Sequence, residues 1–99
     1  MLIRSQNKEI LVNFNVSAGI EIAEGTTKTV VTSYITGCSY LLGEYSTKAK
    51  AMKVLDMTQG AYSEYQIMLN FSVSYLHEFK EKTDGFAIFQ MPEDSEVEV

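Results

Sequence analysis

The feature that most limits what this chain can fold into is a change of hydrophobic period between Leu41 and Asp56. Up to that point apolar and polar residues alternate in twos. Beyond it, Ala51, Val54, Leu55, Thr58, Ala61, Tyr62 and Tyr65 recur at the three- and four-residue spacing that gathers them on one face of an α-helix. Lys50, Lys53, Gly60 and Glu64 fall on the other side. A one-sided helix needs an apolar surface to cover, and the β-branched, aromatic first half of the chain offers one. The spacing therefore predicts a helix from about Thr47 to at least Tyr65 lying on a sheet. Ser46 or Thr47 can cap it, but Ala49 stands where a glutamate would complete a capping box. Lys48, Lys50 and Lys53 crowd the positive end of the helix dipole.

The sheet is read from the segments before the helix. Met1–Gln6 reads as a first strand turned by Asn7-Lys8. Ile10, Val12, Phe14 and Val16 then alternate with Leu11, Asn13, Asn15 and Ser17, the period of a strand with one buried face. Ile20 and Ile22 alternate up to Glu24-Gly25-Thr26, Thr29 to Thr36 has high β propensity, Gly37-Cys38-Ser39 turns it, and Tyr40 to Glu44 runs into the helix cap. Short links between consecutive strands predict an antiparallel meander. Residues 66–82 match two templates, since Ile67, Leu69, Phe71, Val73 and Tyr75 alternate while Leu69, Leu76 and Phe79 also continue the helical stripe; helix and strand both stay open. Phe86 to Met91 reads as a last strand stopped by Pro92. The expected class is α+β: an antiparallel β-meander packed against one long amphipathic helix, with a further C-terminal strand, in a single domain over residues 1–92.

Charge belongs to the end of the chain. The net charge is −5, but Glu93, Asp94, Glu96 and Glu98 hold four of the 13 acids, which leaves nine acids against eight bases in residues 1–92. That nearly neutral body lacks the basic footprint of a nucleic-acid binder. Residues 93–99 offer only Val97 and Val99 to set against the entropy of ordering them, so an acidic flexible tail is expected there. No apolar run approaches the roughly 20 residues of a membrane span, and no segment reads as a signal peptide, so a cytoplasmic location without membrane contact is expected.

Catalytic and metal chemistry need clustered ligands or an activated nucleophile, and the chain has one histidine and one cysteine. His77-Glu78 begins like the helical metalloprotease motif, but Glu81 and Lys82 stand where the second histidine belongs. Cys38 has no histidine near it in sequence. Gly19, Gly25 and Gly43 form no phosphate-binding pattern. The expectation is no catalytic residue, no cofactor and no metal. Tyr40, Tyr45, Tyr62 and Tyr65 read as core aromatics with their hydroxyls at the rim.

Four separated pieces, Ile3-Arg4-Ser5-Gln6, Leu42-Gly43-Glu44-Tyr45-Ser46-Thr47, Lys53-Val54-Leu55-Asp56-Met57 and Phe89-Gln90-Met91-Pro92-Glu93-Asp94, resemble in this order a group of small uncharacterised proteins of phages, prophages and genomes of Gram-positive bacteria. Many members of the group carry an acidic residue where Ala49 stands, and residues 66–85 look like a variable insert. The resemblance carries no established activity. It does single out Arg4, Gln6, Asp56 and Gln90 as polar residues inside its pieces: either a shared network or partner contact linking first strand, helix and last strand, or solvated neighbours of core residues such as Ile3, Leu55 and Phe89. The expected function is a small non-enzymatic interaction or structural module of a phage or prophage or its bacterial host, pairing with itself as a homodimer or with a host or phage protein. The alternative is a phage-encoded inhibitor, anti-defence or regulatory, that binds one host protein by surface complementarity.

Overall fold

A computed structural model describes residues 1–69 and 88–99 of the chain. The elements are β1 (Leu2–Arg4), β2 (Leu11–Asn13), β3 (Gly19–Glu24), β4 (Thr29–Ile35), β5 (Cys38–Tyr45), α1 (Lys48–Leu69) and β6 (Ile88–Gln90), with turns of 3-10 helix at Phe14–Val16 and Asp94–Glu96. The class is α+β, as the change of period predicts: α1 packs on the antiparallel meander β3-β4-β5, and a further strand lies near the C-terminus.

The strands do not form one sheet. β1 and β2 leave the meander and pair with β6 in the order β2-β1-β6, in which β1 runs antiparallel to β2 and parallel to β6. The long alternation from Ile10 to Val16 is used only in part. Val12 is buried opposite Ile3, but the chain then tightens into the 3-10 turn and Val16 is left 61% exposed. Asn13 causes this locally, because its side-chain oxygen accepts from Asn15 N–H (3.0 Å) and gives the backbone a turn in place of a ladder.

Between β4 and β5 the hairpin turns at Thr36-Gly37, one residue earlier than Gly37-Cys38-Ser39; Cys38 already pairs with Ile35. Both turn residues have positive φ, 28° and 79°, which matches the twist of the flanking strands. A bulge follows between Val31 and Thr32, where Leu42 falls between the pairs Val31 with Gly43 and Thr32 with Leu41. Leu42 is buried as a result, and Tyr45 closes the strand at 1% exposure.

On α1 the predicted stripe faces the sheet: Ala51, Val54 and Thr58 are buried, while Leu55, Ala61, Tyr62 and Tyr65 are half-buried. The helix runs without interruption past Gly60, around which there is open space. Of the ambiguous segment 66–82, residues up to Leu69 are helical; the remainder, with His77 and residues 86–87, lies outside the described residues. One buried cluster joins both sheets and the helix: Met1, Ile3 and Val12, with Val31, Leu42 and Tyr45, with Ala51 and Val54, and with Met91 and Val97.

Val97 belongs to the segment read as a free acidic tail. Residues 93–97 are instead docked, because a backbone turn stabilised by a reciprocal capping box, Glu93 with Glu96, aims Val97 into the core.

Candidate functional site

β1 ends where β5 begins its last turn toward the helix, and one side chain connects them. Gln6 is half-buried, its backbone N–H donates to the Leu42 carbonyl (2.7 Å), and its side-chain amide behaves as a peptide group would in a sheet. Oε1 accepts from Glu44 N–H (2.9 Å), and Nε2 donates to the Glu44 carbonyl (3.1 Å) and the Pro92 carbonyl (3.2 Å). The edge of β5 at Glu44 is thereby closed by a side chain, and the first sheet, the second sheet and the C-terminal segment meet at one residue.

Gln90 acts similarly one strand away, donating through Nε2 to the carbonyls of Ser5 (2.9 Å) and Met91 (3.0 Å). Arg4 is exposed, and its Nε donates to the Lys8 carbonyl (3.1 Å), closing the Ser5–Lys8 turn. Asp56 stands exposed on α1, apart from all three. Of the four polar residues that the sequence singles out, Gln6 and Gln90 bind the first strand to the last, Arg4 holds a neighbouring turn, and the helix contributes nothing to that network through Asp56.

The helix joins through residues that the sequence reading did not assign to it. Thr47 Oγ1 accepts from Lys50 N–H (3.2 Å) as the cap, and the acidic partner missing at Ala49 comes from the far end of the chain. Asp94 Oδ1 accepts from Ser46 N–H (2.8 Å) and from Ser46 Oγ (3.1 Å). Lys50 Nζ donates to the Asp94 carbonyl (2.9 Å) and lies 3.5 Å from Oδ2. The backbone hydrogen bond from Ser46, with the Ser46 hydroxyl and Lys50, holds the Asp94 carboxyl below its ordinary range. Glu24 pairs with Lys48 at 3.0 Å, so two of the three lysines at the positive helix end are balanced from elsewhere in the fold.

Tyr45 anchors the same segment. Its hydroxyl donates to the Pro92 carbonyl (2.8 Å), and its ring lies over Gly43, where a Cβ would meet ring atoms at 3.0 Å. Burial pushes the phenol well above its ordinary range, and the carboxylates of Glu93, Asp94 and Glu96 push in the same direction. The position of Ser46 before a lysine-rich helix start is the one local signal that could have pointed to an acidic cap; its source 48 residues away has no local signal.

Two open clefts are notable, one at this junction and one away from it. One, about 350 Å³, is lined by Gln6, Lys28, Glu44, Tyr45, Ser46 and Asp94. The other, about 390 Å³, lies between α1 and β3, with Phe14, Ile20, Leu55, Thr58 and Tyr62 among its walls, and there the rings of Phe14 and Tyr62 pack tilted by 38° with centroids 4.6 Å apart. Thr58 Oγ1 is engaged with the Val54 carbonyl (2.8 Å). Cys38 is exposed in the β4–β5 hairpin, and no group of three or more potential metal ligands occurs among the described residues. Among the described residues no helix is long and apolar enough to cross a membrane. Comparison with protein-family models, with curated proteins and with solved structures gave no match.

Proposed function

We propose that the chain is a small non-enzymatic interaction module that acts in the cytoplasm by self-association as a homodimer. The observation that carries this reading is the outer face of β3-β4-β5, the side away from α1. Thr32 is paired there with Leu41 and Glu21, and Tyr34 with Ser39 and Gly19, leaving Tyr34 45% and Leu41 43% exposed beside half-buried Val30. Apolar groups side by side on a sheet face favour a protein surface over water. The polar side chains at the junction support the same reading from the other direction: Gln6, Tyr45, Ser46 and Asp94 spend their hydrogen bonds on the chain itself. The resemblance of four sequence pieces to small phage and prophage proteins ties this role to a mobile element or its bacterial host.

Light scattering tests it. At tens of micromolar the full chain is expected at twice the 11.1 kDa of one copy. A mass of one copy throughout, with a single stoichiometric host protein retained in a pull-down, would replace this reading with that of an inhibitor of a host protein.

A further inference from the structure

β3 is an edge strand of its sheet, and among the described residues no other strand pairs with its open side. Gly25 N–H donates to the Lys28 carbonyl (2.8 Å) and closes the β3–β4 hairpin. From that pair the antiparallel ladder alternates, so Glu21 and Ala23 exchange hydrogen bonds with β4, while the backbone groups of Ile20, Ile22 and Glu24 face away from it. At the start of the strand the Tyr34 carbonyl accepts from Ala18 N–H (2.8 Å) and Gly19 N–H donates to Ser17 Oγ (3.2 Å). Among the described residues none of those outward groups has a partner. The strand spans six residues without proline, lysine or bulge, and its only charges are Glu21 and Glu24. The cleft walled by Phe14, Ile20, Leu55 and Tyr62 opens on the same strand.

We propose that this edge pairs antiparallel with β3 of a second copy about a two-fold axis through Ile22, which continues the meander across the dimer as one sheet. The inference rests on the self-association reading above but moves the contact to the β3 edge, and edge pairing leaves the outer face with Tyr34 and Leu41 uncovered. A row of alternating donors and acceptors selects an extended strand, and a two-fold perpendicular to the sheet keeps each side chain on its own face. Two registers use the middle of the strand. One sets Glu21 against Glu21 of the other copy, and directly opposed like charges disfavour it. The other sets Ile22 against Ile22, Ile20 against Glu24 and Glu21 against Ala23, so that the outward groups of Ile20, Ile22 and Glu24 are satisfied and no carboxylates are opposed. It also brings half-buried Ile20 and Ile22 of both copies together beside the cleft.

The test is the dimer dissociation constant of the full chain and three variants, measured by sedimentation, with melting curves to confirm folding. Ala23 is exposed, so a charge there leaves the monomer core untouched and meets Glu21 of the other copy twice by symmetry. Ala23→Glu is expected to weaken the dimer and Ala23→Lys to strengthen it, each roughly three- to tenfold. Glu24→Pro removes an outward N–H while sparing the β4 ladder, though it also breaks the exposed Glu24–Lys48 ion pair, so its melting curve is compared first, and it is expected to weaken the dimer as well. In the unmodified chain the amides of Ile20, Ile22 and Glu24 should exchange more slowly as concentration rises. A dimer indifferent to all three substitutions, or with concentration-independent exchange at these amides, overturns the edge assignment and leaves self-association standing. A chain that stays monomeric at tens of micromolar overturns both.

Discussion

Gly43 and Tyr45 show how much rests on single side chains. A methyl group at Gly43 would lie 3.0 Å from the Tyr45 ring, which is 1% exposed and tied by its hydroxyl to the Pro92 carbonyl, so neither partner has room to move. Gly43→Ala should therefore cost about 1–3 kcal/mol in urea unfolding; an unchanged midpoint would mean that the ring can shift. Tyr45 also gives the fold an alkaline limit. Its phenol is raised above the ordinary 10.0 by burial first and by neighbouring carboxylates second, so the folded state favours the neutral form. That contribution is complete below pH 10 and is lost as pH rises through the higher folded value. Stability is expected to fall above pH 10, and to fall less steeply in Tyr45→Phe, as measured by urea midpoints at a series of pH values.

At the scale of elements, the C-terminal segment is part of α1's foundation. Composition makes residues 93–99 look dispensable, but Asp94 takes the place of an acidic helix-start residue and Val97 is 4% exposed. Burying a valine side chain contributes about 1.5–3 kcal/mol, and each kcal/mol moves the melting temperature of a domain this size by about 4–8 °C. Cutting the chain after Pro92 is thus expected to lower the melting temperature by several degrees or more, and a change within error would show that the segment is not docked in solution. Asp94 has an acid signature of its own. Its folded carboxyl titrates below the ordinary 3.8, so its stabilisation is present above that pH and disappears as pH falls through the lower folded value. Asp94→Asn should remove that part of the acid-side loss.

For the whole molecule, Gln6 decides whether two small sheets behave as one body. Neither three-stranded sheet has a core of its own, since the buried cluster takes Ile3 and Val12 from one and Val31, Leu42 and Tyr45 from the other. Gln6 adds the polar counterpart, satisfying both backbone groups of Glu44 and the Pro92 carbonyl. Gln6→Ala leaves those groups without their partner and is expected to cost about 2 kcal/mol. Amide exchange at Ile3 and Val31 should accelerate together; acceleration at Ile3 alone would show that the sheets open independently.

Local order was legible in the sequence. The change of period at Leu41 to Asp56 determined the helix and its buried face, Ala51, Val54 and Thr58, and the β-rich hairpins of residues 19–45, because side-chain periodicity and turn chemistry act over a few residues. Gln6 and Gln90 could be singled out from the pieces that carry the resemblance, though nothing local separated them from Asp56, which takes no part. Tertiary structure alone decided which sheet each strand joins. An alternating pattern such as Ile10–Val16 says which face is buried but not who buries it, and the partner of β1 is β6, paired through Ile3 and Phe89 across most of the chain. The same holds for Asp94: its sequence neighbours are acidic and solvated, and only the fold brings it to the amide of Ser46, where the helix dipole and Lys50 give a carboxylate something to hold.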